Sequence, residues 1–179
     1  GSSDSISTGR GNDILIGGEG NDTLSGGTAG DIMIGDLGKV NPGDRLVQSM
    51  VSTASGDDSI RTDAADNAFD IVIAGGGSDT IVGGLGGMVV LGDDGKLTLN
   101  SVALSLLLSY VPPSDTATPE ELATDAEQRE RILGVAEEVE GVVDASFGND
   151  SVTIDGGVLV ALLGGGNDRA SNSGAEDMV

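Results

Sequence analysis

Short apolar triplets alternate along this chain with glycine-rich polar turns, at an interval of nine residues. In the block "GGEGNDTLS", residues 17–25, glycines fill the first, second and fourth places, Asp22 the sixth and Leu24 the eighth. Glycine readily takes the positive φ angles of tight turns. The next three residues fit a short strand whose middle side chain points to one side. An apolar residue recurs at the eighth place in four consecutive blocks, as Ile6, Leu15, Leu24 and Met33.

Two such blocks predict one coil of the chain. Stacked coils would bury the eighth-place side chains between two parallel sheets. We therefore expect a mainly all-β fold, a parallel β-roll or β-solenoid, with inserts that include one α-helix. A thin aliphatic core agrees with an aromatic content of only 2%. Disorder is the alternative for an acidic chain with 31 glycines, but 37% hydrophobic residues at regular intervals argue against it.

A longer repeat divides the chain into modules. "NDTLSGGTAGDIMIGDLGKV" aligns without gaps with "SDTIVGGLGGMVVLGDDGKL", and this module alignment relates Asp22 to Asp79. The chain begins and ends within the repeat, which is typical of a fragment of a longer tandem array. The predicted organisation is module one at 1–40, an insert at 41–55, a degenerate module two at 56–97, an insert at 98–146 and a truncated module three at 147–179.

The second insert contains a pattern typical of a helix. Thr118 fits an N-cap, Pro119 the first helical position and Glu121 the third place of a capping box. Gly141 is suited to end the helix. These signals predict a helix over about residues 119–140.

The seventh and ninth places differ between the two predicted sheets. They hold Ser and Thr on one sheet but isoleucines on the other, from Ile14 to Ile34. An apolar sheet face is rarely left in water, so we expect the inserts to cover it, through "RLVQSMVS" from Arg45 and "LTLNSVALSLLLSYV" from Leu97. A neighbouring molecule is an alternative cover. Alternatively, Ile and Val are present simply as good strand formers.

The charge of the chain limits its partners. The net charge of −22 argues against nucleic acid and anionic membranes, and favours hard divalent cations. The most apolar stretch, "VALSLLLSYV", has ten residues and is too short to span a bilayer, so we expect no transmembrane segment. The chain has no histidine, no cysteine and no serine in a nucleophile elbow, and "GGGSD" and "GGGND" lack the lysine of a phosphate-binding loop. We therefore expect no enzymatic activity.

The sixth-place aspartates are the candidate metal ligands. Turns on one edge of the roll lie two blocks apart, which would stack Asp4 on Asp22, Asp13 on Asp31 and Asp150 on Asp168. Stacked carboxylates repel each other. Ca²⁺ between them, with glycine carbonyls as further oxygen ligands, would reverse this repulsion. The candidate ligands are Asp4, Asp13, Asp22, Asp31, Asp70, Asp79, Asp150, Asp168, Asp177, Gly9, Gly11, Gly18, Gly20, Gly27, Gly75, Gly77, Gly164 and Gly166.

Several positions depart from the pattern. The pairs Asp70/Met88, Asp79/Leu97 and Leu159/Asp177 would be half-sites that are weaker or empty. The interval from Asp58 to Asp70 is longer than one block, which indicates a bulge in the roll. Module one should therefore bind Ca²⁺ best.

With these motifs the chain resembles the RTX, or haemolysin-type, calcium-binding nonapeptide repeat family, most strongly over residues 8–34. The resemblance implies a β-roll that folds on binding several Ca²⁺ ions outside the cell. It also implies type I secretion from a Gram-negative-like bacterium, directed by a C-terminal signal outside this sequence.

The expected function is a calcium-binding structural segment of a secreted or cell-surface bacterial repeat protein, such as an adhesin, surface-layer protein or extracellular fibre. Its expected partners are calcium and neighbouring modules of the same protein, with self-assembly into a fibre or layer as an option. The alternative is the secretion-assisting region of an exported enzyme or toxin. A carbohydrate- or ice-binding module is disfavoured, because aromatic platforms are missing and threonine rows are sparse.

Overall fold

The computed structural model describes residues 1–65, 68–99, 136–141, 147–156, 158–173 and 176–178. All regular structure in these ranges is β-strand, and no helix long and apolar enough to cross a membrane occurs in them. The strands are β1 Ser5–Ser7, β2 Ile14–Ile16, β3 Thr23–Ser25, β4 Ile32–Ile34, β5 Gly38–Asn41, β6 Leu46–Ser49, β7 Ser59–Arg61, β8 Asp70–Ile73, β9 Thr80–Gly83, β10 Met88–Leu91, β11 Gly95–Leu99, β12 Ala136–Gly141, β13 Ser151–Ile154, β14 Val158–Leu162, β15 Arg169–Asn172 and β16 Glu176–Met178.

Two parallel sheets contain the nonapeptide strands. The outer sheet has the order β1-β3-β7-β9-β13-β15, and the middle sheet has the order β2-β4-β8-β10-β14-β16. The chain alternates between them, and successive coils without an insert pair in register, as Leu24 pairs with Ile6. This arrangement is all-β with parallel strands, as expected, and it is consistent with a β-roll.

The eighth-place side chains form the core between these two sheets. Leu15, Leu24 and Met33 are at most 2% exposed and pack in one cluster with Ile60 and Ile81 of later coils. This confirms the predicted thin aliphatic core. The opposite face of the outer sheet presents exposed hydroxyl side chains, such as those of Ser5, Thr23 and Thr80.

A third, antiparallel sheet covers the other face of the middle sheet. This cover sheet has the order β12-β11-β6-β5. Val47 of β6 and Leu97 of β11 pack in one buried cluster with residues of the middle sheet that include Ile34 and Ile73. The expected cover of the isoleucine face is confirmed for Ile32 and Ile34, which are fully buried, while Ile14 at the end of the sheet is 46% exposed. Val47 of the first predicted covering segment and residues 97–99 of the second contribute to this cover. Residues 100–111 of the second segment lie outside the described residues.

The predicted helix is wrong at its C-terminal end. Residues 136–140 belong to β12, which pairs antiparallel with β11 from Gly95↔Gly141 through Leu97↔Val139. Pairing satisfies the backbone donors and acceptors along β11 that an exposed edge leaves open, and tertiary context of this kind overrides helix propensity. Residues 119–135 of the predicted helix lie outside the described residues.

Candidate metal sites

The first edge of the fold is formed by the turns that lead from the middle sheet to the outer sheet. One aspartate immediately precedes each strand of the outer sheet. We call these six residues the aspartate row; they are Asp4, Asp22, Asp58, Asp79, Asp150 and Asp168.

Hydrogen bonds join the aspartate row from end to end. The backbone N–H of Asp4 donates to Oδ1 of Asp22 at 2.7 Å. The same bond recurs from Asp22 to Asp58 and from Asp58 to Asp79 at 2.7 Å. It continues from Asp79 to Asp150 and from Asp150 to Asp168 at 3.0 Å. The row therefore passes both inserts without interruption, and the predicted stacking of Asp4 on Asp22 and of Asp150 on Asp168 is confirmed.

The second carboxylate oxygens of the row are buried. Within the described part of the chain, Oδ2 of Asp22, Asp58, Asp79 and Asp150 has no hydrogen-bond partner. These residues are only 1–3% exposed. A buried carboxylate oxygen without a partner is costly, because it has lost its hydration. A cation beside Oδ2 would offset that cost.

Burial also changes the protonation of the row. Loss of hydration, with repulsion from neighbouring carboxylates, raises the pKa of Asp79 from 3.8 to about 9, against the lowering effect of its backbone hydrogen bond. The same causes raise the pKa of Asp58 to about 7 and that of Asp150 to about 6. The fold therefore disfavours uncompensated negative charge along this edge, which a proton or a cation can neutralise.

Glycines let the backbone of successive turns on the first edge approach closely. Of the candidate glycines, all but Gly9 have positive φ, as predicted for the turns. At Gly77 an added Cβ would collide with the carbonyl oxygen of Gly56 in the adjacent turn. The same close contact recurs along a column of glycines on the first edge. The column consists of Gly20, Gly56, Gly77, Gly148 and Gly166.

These groups fit Ca²⁺ as a set of oxygen donors. No three acidic side chains in the described ranges are grouped closely enough to hold a metal ion by themselves. An ion on this edge would therefore combine one or two carboxylates with backbone carbonyls. Ca²⁺ accepts such mixed oxygen sets.

The second edge carries a shorter row. Asp13 N–H donates to Oδ1 of Asp31 at 2.9 Å, and Asp31 N–H donates to Oδ1 of Asp70 at 2.8 Å. In the next strands Met88 pairs with Asp70, and Leu159 follows Met88. Asp177 stands opposite Leu159. As predicted, Asp13 therefore stacks on Asp31, Asp70 lies beside Met88, and Leu159 lies beside Asp177.

The predicted pair Asp79/Leu97 is wrong. Leu97 lies in β11 of the cover sheet and is fully buried against the middle sheet. Asp79 instead has Asp58 and Asp150 as neighbours in the row. The nine-residue count fails here because the chain leaves the coil after β10 and enters the cover sheet.

Three buried carboxylates of the first edge were missed by the register. Asp58 belongs to the aspartate row, but the count of nine missed it because its interval to Asp70 is longer than one block. Asp36 accepts from Gly76 N–H at 2.8 Å and from Gly56 N–H at 3.3 Å, and burial raises its pKa to about 6. Asp93 accepts from Gly165 N–H at 2.7 Å.

Two sequence signals point to these residues. The module alignment that relates Asp22 to Asp79 also relates Asp36 in "GDLGKV" to Asp93 in "GDDGKL". The phrase "DSIRT" at Asp58 resembles "DSIST" at Asp4 and "DSVTI" at Asp150. Repetition of whole phrases therefore indicates these three residues better than counting in nines does.

The start of the chain matches a known protein family. Residues 1–39 match the model of the RTX calcium-binding nonapeptide repeat, in four copies. This confirms the resemblance inferred from the nonapeptide pattern. No curated protein and no solved structure matches the chain.

Proposed function

From the RTX calcium-binding repeats of residues 1–39, we propose that the whole chain is a calcium-stabilised structural segment of a secreted or cell-surface repeat protein. Its coils form a β-solenoid, and Ca²⁺ binds along the first edge from Asp4 to Asp168, well beyond the matched residues. Ca²⁺, when bound, supplies the positive charge that the buried carboxylates lack.

One observation carries this proposal. Asp58, Asp79 and Asp150 lie outside residues 1–39, yet each repeats the arrangement of Asp22. In each, Oδ1 accepts the N–H of the preceding aspartate of the row, and Oδ2 is buried without a partner in the described structure. Aspartates with this arrangement of carboxylate oxygens therefore continue along the chain beyond residue 39, where the family match ends.

The family match and the supply of calcium support a location outside the cell. RTX repeats are typical of secreted proteins, and modules in that environment bind Ca²⁺ with dissociation constants of about 10⁻⁴–10⁻³ M. The cover sheet supports a structural role, since it broadens the stacked coils into a three-layered body. An adhesin, surface-layer protein or extracellular fibre would use such a body as a spacer, without catalytic activity.

Calcium binding by Asp58→Asn tests the proposal outside the matched residues. Asn keeps the acceptor that bonds Asp22 N–H but removes the negative charge and the carboxylate Oδ2. Titration calorimetry on metal-depleted protein should show fewer or weaker Ca²⁺ sites than in the wild type. Asp155→Asn, the same change at an exposed residue outside the row, should leave binding unchanged. Wild-type binding by Asp58→Asn would contradict the proposal.

A further inference from the structure

Two turns of the first edge are interrupted at the same place. Residues 17–22, "GGEGND", form an uninterrupted turn of six places between β2 and β3. Gly35 and Asp36 fill the first two places of the next turn, and residues 56–58, "GDD", fill its last three. Gly92 and Asp93 are followed in the same way by residues 148–150, "GND". In both turns, which we call the junctions, the chain leaves the coil after the second place and returns at the fourth.

The residue at the second place distinguishes the junctions from the uninterrupted turns. In the uninterrupted turns it is a glycine with positive φ, namely Gly18, Gly75 and Gly164. At the junctions it is Asp36 or Asp93. Asp36 accepts the N–H of Gly76 at 2.8 Å, and Asp93 accepts that of Gly165 at 2.7 Å. Both donors are third-place glycines of the next turn, so the two aspartates have equivalent positions.

Two further oxygens meet beside Asp36 at the first junction. An added Cβ on the preceding residue, Gly35, would collide with both Oδ2 of Asp58 and the carbonyl oxygen of Ala74. Asp36 is 1% exposed and Asp58 is 3% exposed. Oδ2 of Asp58 has no hydrogen-bond partner among the described residues. Burial is the main cause of the raised pKa of Asp58, and repulsion from Asp36 adds to it.

The second junction repeats this arrangement beside Asp93. An added Cβ on Gly92 would collide with Oδ2 of Asp150 and would lie 3.0 Å from the carbonyl oxygen of Leu163. Asp150 is 2% exposed, and its Oδ2 has no hydrogen-bond partner within the described ranges. Burial, with repulsion from Asp93, raises the pKa of Asp150. Each junction therefore buries two neighbouring carboxylates together with a carbonyl oxygen.

Hydrogen bonding alone does not require a carboxylate at the second place. An amide or hydroxyl oxygen could accept the N–H of Gly76, and such a neutral group costs less to bury than a carboxylate. Two carboxylates close together also repel each other. A cation that both contact reverses this repulsion, because carboxylate and carbonyl oxygens are ligands that Ca²⁺ prefers.

We propose that each junction is a Ca²⁺ site in which the second-place aspartate is an additional ligand. Neither of these aspartates falls on the count of nine that marks the sixth-place ligands. The inference rests on the proposed function, since it concerns ions on the same edge. The ligands are Asp36, Asp58 and the carbonyl of Ala74 at the first junction, and Asp93, Asp150 and the carbonyl of Leu163 at the second.

The uninterrupted turn after β2 provides a comparison within the chain. An added Cβ on Gly17 would collide with Oδ2 of Asp22 and with the carbonyl oxygen of Gly35. The second place of that turn is Gly18, so the turn offers one carboxylate where a junction offers two. Calcium affinity depends on the charge of the ligand set. The junctions should therefore bind Ca²⁺ more tightly than this turn.

Asp36→Asn tests the first junction while keeping every aspartate of the row. The loss of a ligand should weaken one ion by at least about ten-fold. Equilibrium dialysis at a Ca²⁺ concentration that just saturates the wild type counts the bound ions. The variant should hold one ion fewer than the wild type, and the double variant Asp36→Asn, Asp93→Asn should hold two fewer.

Asp57→Asn is the matched control for this loss of charge. Asp57 is the exposed neighbour of Asp58, and its Oδ1 accepts the N–H of Ser78 at 2.8 Å. The second junction already has Asn149 at the equivalent place. The control therefore also removes one carboxylate and keeps one acceptor, and it should hold as many ions as the wild type.

Thermal unfolding with and without Ca²⁺ separates a metal ligand from a hydrogen-bond acceptor. At pH 6 the metal-free fold keeps part of its proton-linked stability, so both states can be measured. A ligand contributes through bound metal, and Asp36→Asn should therefore reduce the rise in melting temperature that Ca²⁺ produces. An acceptor alone would lower the melting temperature equally in both conditions, which would overturn the junction site.

The two proposals fail in different ways. Wild-type ion counts in both Asp36→Asn and the double variant, with fewer ions in Asp58→Asn, would overturn the junction sites and leave the proposed function standing. A wild-type chain that binds no Ca²⁺ would overturn the proposed function and the junction sites with it.

Discussion

Each aspartate of the row uses its two carboxylate oxygens differently. Oδ1 ties one turn to the preceding turn, as Asp79 does with the N–H of Asp58. In Asp58 and Asp79, Oδ2 is buried and has no hydrogen-bond partner among the described residues. A serine or threonine could satisfy the first requirement, but only a carboxylate also supplies charge to a cation.

The stability of the metal-free protein should fall as the pH rises from about 5 to 8.5. Burial raises the pKa of Asp79 from 3.8 to about 9, so between these values the folded state keeps a proton that the unfolded state has released. Its contribution is complete below pH 3.8 and is lost as the pH approaches 9. Asp58 acts in the same direction up to a pH of about 7.

Thermal unfolding of metal-depleted protein at several pH values measures this effect. Saturating Ca²⁺ should reverse the trend, because protons then compete with the metal for the carboxylates. Asp79→Asn should flatten the slope in the metal-free protein, because Asn does not titrate. A melting temperature that rises with pH in the absence of metal would contradict the raised pKa of Asp79.

At the residue scale, sequence periodicity located the row only where coils follow one another directly. Asp22 and Asp168 fall on the count of nine, and both lie in the row. Asp58 follows an insert, and its membership depends on the register in which β7 pairs with β3. That register is fixed by packing of Ile60 on Leu24 rather than by local spacing.

At the scale of the elements, the position of a strand among the layers explains its pattern. β8 "DIVI" and β10 "MVVL" are buried on both faces, because the middle sheet lies between two cores. β7 "SIR" buries only Ile60, because one face of the outer sheet meets water. Parallel strands buried on both sides typically read as continuous apolar runs.

Leu97→Ala should destabilise the fold and raise the Ca²⁺ concentration needed for folding, without changing the number of Ca²⁺ ions bound at saturation. Leu97 is fully buried between the cover and middle sheets, and a leucine-to-alanine change in a core costs about 2–5 kcal/mol. Urea unfolding in saturating Ca²⁺ measures the loss. Leu85→Ala, at a leucine that is 43% exposed, is the matched control and should have little effect. Fewer Ca²⁺ ions bound per chain at saturation in the Leu97→Ala protein would contradict its position away from the metal sites.

The cover sheet could be predicted only in part. The isoleucine face of the middle strands indicated that a cover was needed, and both inserts contribute to it as expected. The strand β12 could not be predicted, because "AEEVEG" has good helix formers and its extended form depends on pairing with β11. Local propensity contains no information about that distant partner.

At the scale of the whole molecule, the first edge connects coils that the inserts separate in sequence. Asp22 bonds to Asp58 across 36 residues, and Asp79 bonds to Asp150 across 71 residues. A chain with a net charge of −22 that buries this row needs protons or cations to neutralise the carboxylates. Calcium should therefore fold the coils as one cooperative unit rather than module by module.

Far-UV circular dichroism of metal-depleted protein during titration with Ca²⁺ tests this central claim most directly, with Mg²⁺ as the control ion. At pH 8, where the metal-free fold has lost most of its proton-linked stability, we predict a weak β signal without metal, a single cooperative gain of β signal with Ca²⁺ and no comparable gain with Mg²⁺. A full β signal in the metal-depleted protein, unchanged by Ca²⁺, would contradict the account. It would mean that the two apolar cores alone hold the sheets together and that the aspartates serve only to form turns.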